Sequence, residues 1–459
     1  MARLTRLFCF TPLLFHLSWP AFSIAQTTPE LAGIVERLDR LERENRTLSE
    51  EVRSLRAELA ASNPVGRPPD AAPAQADVET PPAPPTLTVE ERLDIQQHRL
   101  EEQAQTKVEA SQRYPVRLAG MALFNAFLNS RQSGGADYPV VAAAPGVGHS
   151  GATVRQTVVG LEFSGPASIW GGKAHGSVYM DFFAGANNSA MRVRTASVGI
   201  DWKTRSLAMG LEKPIFNPRE PSSLAQVGIS PLTGAGNLWL WLPQIRAEQD
   251  LRLGSSSGVR AQVGMVQTRE IGPYTGTTVP EAARPGLEGR FNFFHNLDDE
   301  RRLEIASGFH TSTTHAAGRS IPSNLFSIDW FFNPVRRVEF TGVFYSGTNV
   351  AHLGSGTRQG YAIYARYASA VASRGGWGQL TLRAAKRLDF HLFTGQVDDA
   401  NRELISGAIA KNLLFGGNAY FRLAPNVLVG FEASQLRTVY IGQGMRINNH
   451  YDLALAYLF

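Results

Sequence analysis

Residues 115–459 hold 27 arginines but only five lysines, set against 23 acidic residues. A guanidinium is always charged and offers its donors in a planar fork. A basic complement made of arginine therefore points to bidentate recognition of carboxylate or phosphate. Several of these side chains fall on alternating runs. Gln244, Arg246, Glu248, Asp250 and Arg252 share one side, opposite Ile245, Ala247, Leu251 and Leu253. That period of two places them on one face of a strand. Arg260 opposes Val259, Ala261 and Val263, and the same alternation turns Arg290 and Arg383 to the polar side. Lys213 and Arg219 belong to a Pro-, Gly- and Ser-rich stretch, 213–236, which is expected to fold inward and narrow whatever space the strands enclose. These seven residues are the candidate anion-attracting set, with Glu248, Asp250 and Glu288 as the carboxylates that would pair with them. Low-dielectric walls would focus their field and raise the local concentration of anions.

Other chemistry is poorly supported. The ten histidines show no HExxH spacing, and no GxSxG elbow is present. His295 with Glu288, Asp298 and Asp299 reads as a hydrated turn. The single cysteine, Cys9, lies in a segment expected to be removed, which excludes a disulfide framework and thiol chemistry from the remainder. No enzyme activity, cofactor, metal site or nucleic-acid partner is expected.

The elements that must position the arginines are strands. Val159, Leu161 and Phe163 alternate with Gly160 and Glu162, and the same pattern recurs at 173–182, 259–265, 326–332, 338–345 and 427–434. A polar face maintained over so many strands suggests a water-filled interior rather than a packed soluble core. Short turns at 203–204, 254–257, 333–334 and 424–426 alternate with long connections at 131–152, 213–237, 269–285 and 346–376. This asymmetry and an even strand number give an all-β, 16-stranded antiparallel transmembrane barrel over 115–459, its turn at 385–387 on the short-turn side. An 18-stranded barrel is the alternative if 359–368 spans. The chain ends with Tyr451, Leu453, Leu455, Tyr457 and Phe459 on one face, as a lipid-facing strand with an interfacial aromatic would. That strand must close on the first, around 116–128. A mean hydropathy of −0.16 excludes a helical multi-span protein but not a barrel.

The first quarter is built differently. Arg3 and Arg6, an apolar stretch and Ser23-Ile24-Ala25 read as a secretory signal over 1–25. Leu31, Ile34, Leu38, Leu41, Asn45, Leu48, Val52, Leu55 and Leu59 then keep heptad spacing over 26–61. Arg37 with Glu42 and Glu51 with Arg56 match across a parallel neighbour, and Arg37 to Glu42 carries the short pattern of three-stranded coiled coils, so a trimer is expected. A Pro-rich linker (62–87) and a second helical spacer (88–113) follow. Residues 26–114 carry a net charge of −6 and residues 115–459 a net +9.

Taken with Pro243-Gln244-Ile245-Arg246, Gly376-Trp377-Gly378-Gln379-Leu380, the run 418–425, Gly430-Phe431-Glu432-Ala433-Ser434 and the Tyr457-Leu458-Phe459 end, this layout resembles the DcaP-like trimeric outer-membrane porins, relatives of the phosphate-selective porins O and P. The resemblance implies a homotrimer of 16-stranded channels passing small anionic solutes. It also implies an outer-membrane location in lipid and lipopolysaccharide, assembly through the barrel-insertion machinery, and a periplasmic coiled coil. The lysine ladder of the phosphate-specific members is missing, so organic acids are expected over phosphate. A tether from outer membrane to peptidoglycan is the second expectation.

Overall fold

The computed structural model describes residues 116–459 apart from 144–145, 186–188, 283 and 366. The expected signal segment, the heptad residues Leu31 to Leu59, the linker and the second helix, with the tether reading that rests on them, lie outside the described residues. In chain order the strands are β1 (Val116–Asn129), β2 (His149–Thr153), β3 (Val158–Ile169), β4 (Gly172–Ala184), β5 (Ala190–Asp201), β6 (Arg205–Glu212) and β7 (Leu242–Arg252). They continue with β8 (Ser257–Gln267), β9 (Pro285–Asn296), β10 (Arg302–Ala316), β11 (Arg319–Val335), β12 (Val338–Thr348), β13 (Tyr361–Ile363) and β14 (Ala368–Ala370). The last are β15 (Ala372–Ala385), β16 (Leu388–Asp399), β17 (Ile409–Ala424), β18 (Val427–Tyr440) and β19 (Gly444–Leu458).

Seventeen of these form one antiparallel sheet that closes on itself. β3 pairs with β1 over Val116–Met121 and β2 pairs with it over Asn125–Asn129, so β2 and β3 are two halves of a single stave. The barrel therefore has sixteen staves. β13 and β14 make a separate hairpin within the connection between β12 and β15, so 359–368 does not span. Closure comes from β1 and β19, in register from Met121↔Leu458 to Asn129↔His450. Gly120 and Phe459 exchange backbone hydrogen bonds of 2.9 and 3.1 Å. A Cβ at Gly120 would collide with the Phe459 ring, so this glycine makes room for the terminal aromatic.

The pleat sorts the side chains as the alternation requires. On β19 the apolar residues Tyr451, Leu453, Leu455 and Tyr457 are 45–52% exposed on the outside, while Asp452, Ala454 and Ala456 are buried inside. Ile245, Val263, Met265, Phe291, Ile305 and Phe326 continue this outer apolar surface around the barrel. No helix among the described residues is long and apolar enough to cross a membrane, which says nothing about strands. One turn departs from the sequence reading. Asn333-Pro334 lies within β11, at a bulge between Phe332 and Val335, and the chain reverses at 336–337 instead. Proline is tolerated at a bulge because no ladder donor is needed there.

Leu453 lies midway along β19 on the outer face. Leu453→Arg is expected to destabilise the barrel by about 2–4 kcal/mol, the range for a cation at mid-bilayer. The measurement is denaturant unfolding in lipid vesicles, read by the mobility difference of folded and unfolded bands; an unchanged midpoint would place this face away from lipid.

Candidate functional site

The connection from β6 to β7 turns inward and crosses the lumen, as the sequence predicts for 213–236. Its residues Ile215, Phe216, Leu232, Ala235 and Leu238 are buried. The loop is held by polar side chains on the inner wall that reach its backbone. Gln156 is central: its Oε1 accepts from Val227 N and Gly228 N at 2.8 Å each, and its Nε2 donates to Ala225 O at 2.9 Å. Asn125 Nδ2 donates to Leu224 O at 2.9 Å, and Asn418 Nδ2 to Ser222 O at 2.8 Å. Gln379 Oε1 accepts from Ser222 N at 2.7 Å, and Asn412 Nδ2 donates to Gly234 O at 2.8 Å. On the far side Ser327 Oγ donates to Phe216 O and Glu288 Oε2 accepts from Ile215 N at 2.8 Å. Gly236, at φ 96°, lies flat on the wall, where a Cβ would strike the carbonyl oxygens of Gly376 and Gln396.

Glu288 carries a second contact. Its Oε1 lies 3.0 Å from His310 Nδ1, and His310 Nε2 lies 2.9 Å from Ser312 Oγ. His352, on a short 3-10 turn in the connection after β12, packs its ring 5.6 Å from that of His310. The order Ser–His–Glu superficially matches a hydrolase triad. Here Glu288 and His310 are fully enclosed and grip the base of the loop. Among the described residues no group of three or more His, Cys, Asp or Glu is placed to hold a metal ion.

The seven basic residues singled out from sequence differ in what they can offer a solute. Lys213 lies 3.3 Å from Glu220 within the loop, and Arg219 joins the loop to Asp329 at 2.6 Å and to Glu304. Arg246 sits 3.4 Å from Glu248, and Arg260 makes a two-point contact with Asp250 at 2.7 and 3.0 Å. Arg383 reaches Glu339 at 3.0 Å near the short-turn end. Arg252 is exposed at the same end, its guanidinium 5.5 Å from the Phe294 ring. Arg290 corrects the expectation in two respects. It is only 4% exposed rather than lining open space, and its carboxylate partner is Asp329 at 2.8 Å, not Glu288. The loop covers it.

A second group was missed. Arg192 and Arg194 on β5 converge on one fully enclosed carboxylate, Asp181 on β4, and Arg155, between β2 and β3, lies beside them at the Phe183 ring. Arg192 Nε and Arg194 Nη1 reach Asp181 at 2.8 and 2.9 Å. Both also donate to the loop, Arg192 to Gly228 O and Arg194 to Val227 O at 2.6 Å. Arg155 donates to Gly185 O at 2.6 Å and lies 4.7 Å from the Phe183 ring. Arg194 lies 4.7 Å from Trp241, which packs edge-on against Trp239. The register between β4 and β5 slips at Arg194: Tyr179 faces Thr195 while Met180 faces Val193. That bulge brings two arginines to one aspartate. The alternation in Arg192-Val193-Arg194 was the available sequence signal.

In fold the barrel is that of the outer-membrane channels. The outer membrane channel DcaP of Acinetobacter baumannii is similar at a TM-score of 0.63 and 15% identity, over 75% of this chain and 97% of that one. An anion-selective porin from Comamonas acidovorans is similar at 0.55 and 11%, over 76% and 100%. Neither a protein-family model nor a curated protein sequence matches the chain.

Gln156→Ala leaves two loop N–H groups without their acceptor, at about 1–3 kcal/mol for each buried orphan. The loop is expected to be cut faster by protease and to give a noisier open-channel current, and unchanged digestion would count against the anchoring role. Burial and His310 together depress the His352 pKa from 6.5 to about 3. The unfolded chain then binds the proton first, so this contribution to stability is complete above about pH 6.5 and is lost as pH falls towards 3. His352→Leu is expected to flatten that acid limb in thermal unfolding followed between pH 7 and 4.

Proposed function

We propose that the protein is an outer-membrane porin: a water-filled channel for passive diffusion of small solutes, with a preference for anions and organic acids ahead of phosphate. The fold supports the channel reading. The loop of 213–241 is the constriction, and its position between opposed walls supports a pore that narrows at mid-height. On this reading the short turns face the periplasm and the long connections face outward.

The observation that carries the anion preference is the charge balance of the Arg155, Arg192 and Arg194 group. Most lumenal arginines chosen from sequence each have a carboxylate of their own, so their fields largely cancel. Arg192 and Arg194 on β5 share Asp181, and Arg155 beside them has no carboxylate partner among the described residues, which leaves positive charge in excess beside the loop. In a low-dielectric channel that excess attracts anions and resists cations. A planar guanidinium backed by Trp241 or Phe183 suits a carboxylate attached to an apolar body. Trimer formation through the heptads of 26–61 belongs to the same proposal. So do export through a signal segment and the use of Phe459 with its alternating aromatics as an insertion signal.

The test is reversal potential in planar bilayers under a salt gradient. The wild type is expected to prefer chloride to potassium. Arg155→Gln, which breaks no ion pair, is expected to lower that preference, and Asp181→Asn to raise it, each by a factor of a few up to about tenfold. Cation preference in the wild type would overturn the anion reading, and absence of conductance would overturn the channel.

A further inference from the structure

The anchors of the 213–241 loop leave one sector of the inner wall bare. They begin at the upper end of β7, where Gln244 Nε2 donates to Lys213 O at 2.8 Å. They continue through Glu288 on β9, Ser327 on β11, Gln379 on β15 and Asn412 and Asn418 on β17. They end with Asn125 on β1, Gln156 beside β3, and Arg192 and Arg194 at the long-loop end of β5. Inner-face residues under this belt are sealed: Ala306, Ser327, Val343, Gln379, Asn412 and Ala454 are 0–6% exposed. Below Asp181 on β4, below Arg194 on β5, on β6 and on the rest of β7, no inner-face side chain among the described residues hydrogen-bonds the loop.

In that sector the wall stays open. Ser177 faces Ser197, and Ser197 faces Gly210, in register across β4, β5 and β6, and all three are partly exposed. One inward row nearer the short turns comes Ala208 and, opposite it on β7, Arg246, whose side chain is 27% exposed. Arg246 also differs from the arginines around the loop. Arg192, Arg194, Arg219, Arg260 and Arg290 each donate to a carboxylate, and Arg155 donates to a carbonyl. Arg246 makes no hydrogen bond among the described residues. Its carboxylate neighbour, Glu248, lies 3.4 Å from Nε and already accepts from Gln262 at 2.9 Å.

We propose that solutes cross the barrel on one side only, through the gap between the loop and the inner faces of β4 to β7, and that Arg246 takes their anionic group there. The proposal rests on the channel reading above. A guanidinium whose fork is unused offers a carboxylate two parallel donors. Attraction starts at Arg192 and Arg194, at the long-loop end of the gap, and Arg246 receives the anion further in. The bare staves supply the room, because the loop is held against the opposite wall. Glu248 beside Arg246 keeps the contact weak enough for the solute to leave again.

Cysteines placed singly read the gap directly. The chain's only cysteine, Cys9, lies in the expected signal segment, so the wild type serves as the blank. The variants are Ser197→Cys and Arg246→Cys in the gap, and Ala306→Cys and Ala454→Cys on the covered wall. Each is treated, as folded full-length protein, with the anionic sulfonatoethyl methanethiosulfonate or its cationic trimethylammonium counterpart. Labelling is followed by intact mass, and current in planar bilayers. The two gap thiols are expected to label about tenfold faster than the covered pair, whose reaction waits on local opening. Either label on Ser197→Cys is expected to lower conductance. On Arg246→Cys the anionic label is expected to abolish chloride preference and the cationic label to restore it. Labelling of Ala306→Cys or Ala454→Cys as fast as Ser197→Cys overturns the one-sided path. A reversal potential that ignores the sign of the label on Arg246→Cys overturns its contact with solute. A wild type without current removes the channel reading itself, and the mass pattern is read independently of current, so the two failures are told apart.

Discussion

A strand that crosses a bilayer cannot leave its backbone groups unpaired, since hydrocarbon offers no partner for them. Every structural decision in this chain follows from that constraint. It requires the ladder between β1 and β19, without which two edges of fourteen and fifteen residues would face lipid. It fixes the inside–outside parity of every stave, because a slip of one residue would send Asp452 to lipid and Leu453 to the lumen. It also explains why Phe459 and Gly120 exchange hydrogen bonds beyond the last paired residue: the closing seam is completed to the final atom of the chain.

Closure creates a second problem. A sixteen-stave barrel encloses far more space than side chains can fill, and its inner face is polar. The loop of 213–241 answers it with backbone rather than bulk. Asn125, Gln156, Gln379, Asn412 and Asn418 are buried inner-wall amides, and each meets a loop peptide group. Loop anchors are spread around the inner wall. The staves near β1 and at β15 and β17 hold the loop with amides, β9 and β11 hold it with Glu288 and Ser327, and β5 holds it with Arg192 and Arg194.

The fold was legible because parity is a local property. Two residues in three consecutive positions state which face is lipid, and long connections state which end they occupy, so the count of sixteen followed without any knowledge of contacts. The site was only half legible. Alternation could say that Arg246, Arg260 and Arg290 point inward, and they do. It could not say that the loop would cover Arg290, or that Asp329, two staves away on β11, would neutralise it. Nor could it locate Asn333-Pro334 inside β11, since a bulge erases the usual meaning of a proline. Arg192 and Arg194 were hidden for a related reason: their joint approach to Asp181 depends on a register slip that strict period-two reading does not contain.

The same distinction governs how charge can act in a pore. An arginine with a carboxylate of its own, as Arg260 on β8 has in Asp250 on the neighbouring β7, contributes a dipole whose field dies away within a few ångströms. An arginine that shares its carboxylate contributes a monopole, which low-dielectric walls carry much further. On the channel reading proposed above, selectivity follows the ratio of guanidinium to carboxylate beside the loop and not the number of arginines in the wall. At Asp181 two guanidiniums, those of Arg192 and Arg194, share one carboxylate, and both also grip the backbone of the 213–241 loop. Fixing the loop and placing positive charge beside it are therefore one structural act, performed by the same two side chains.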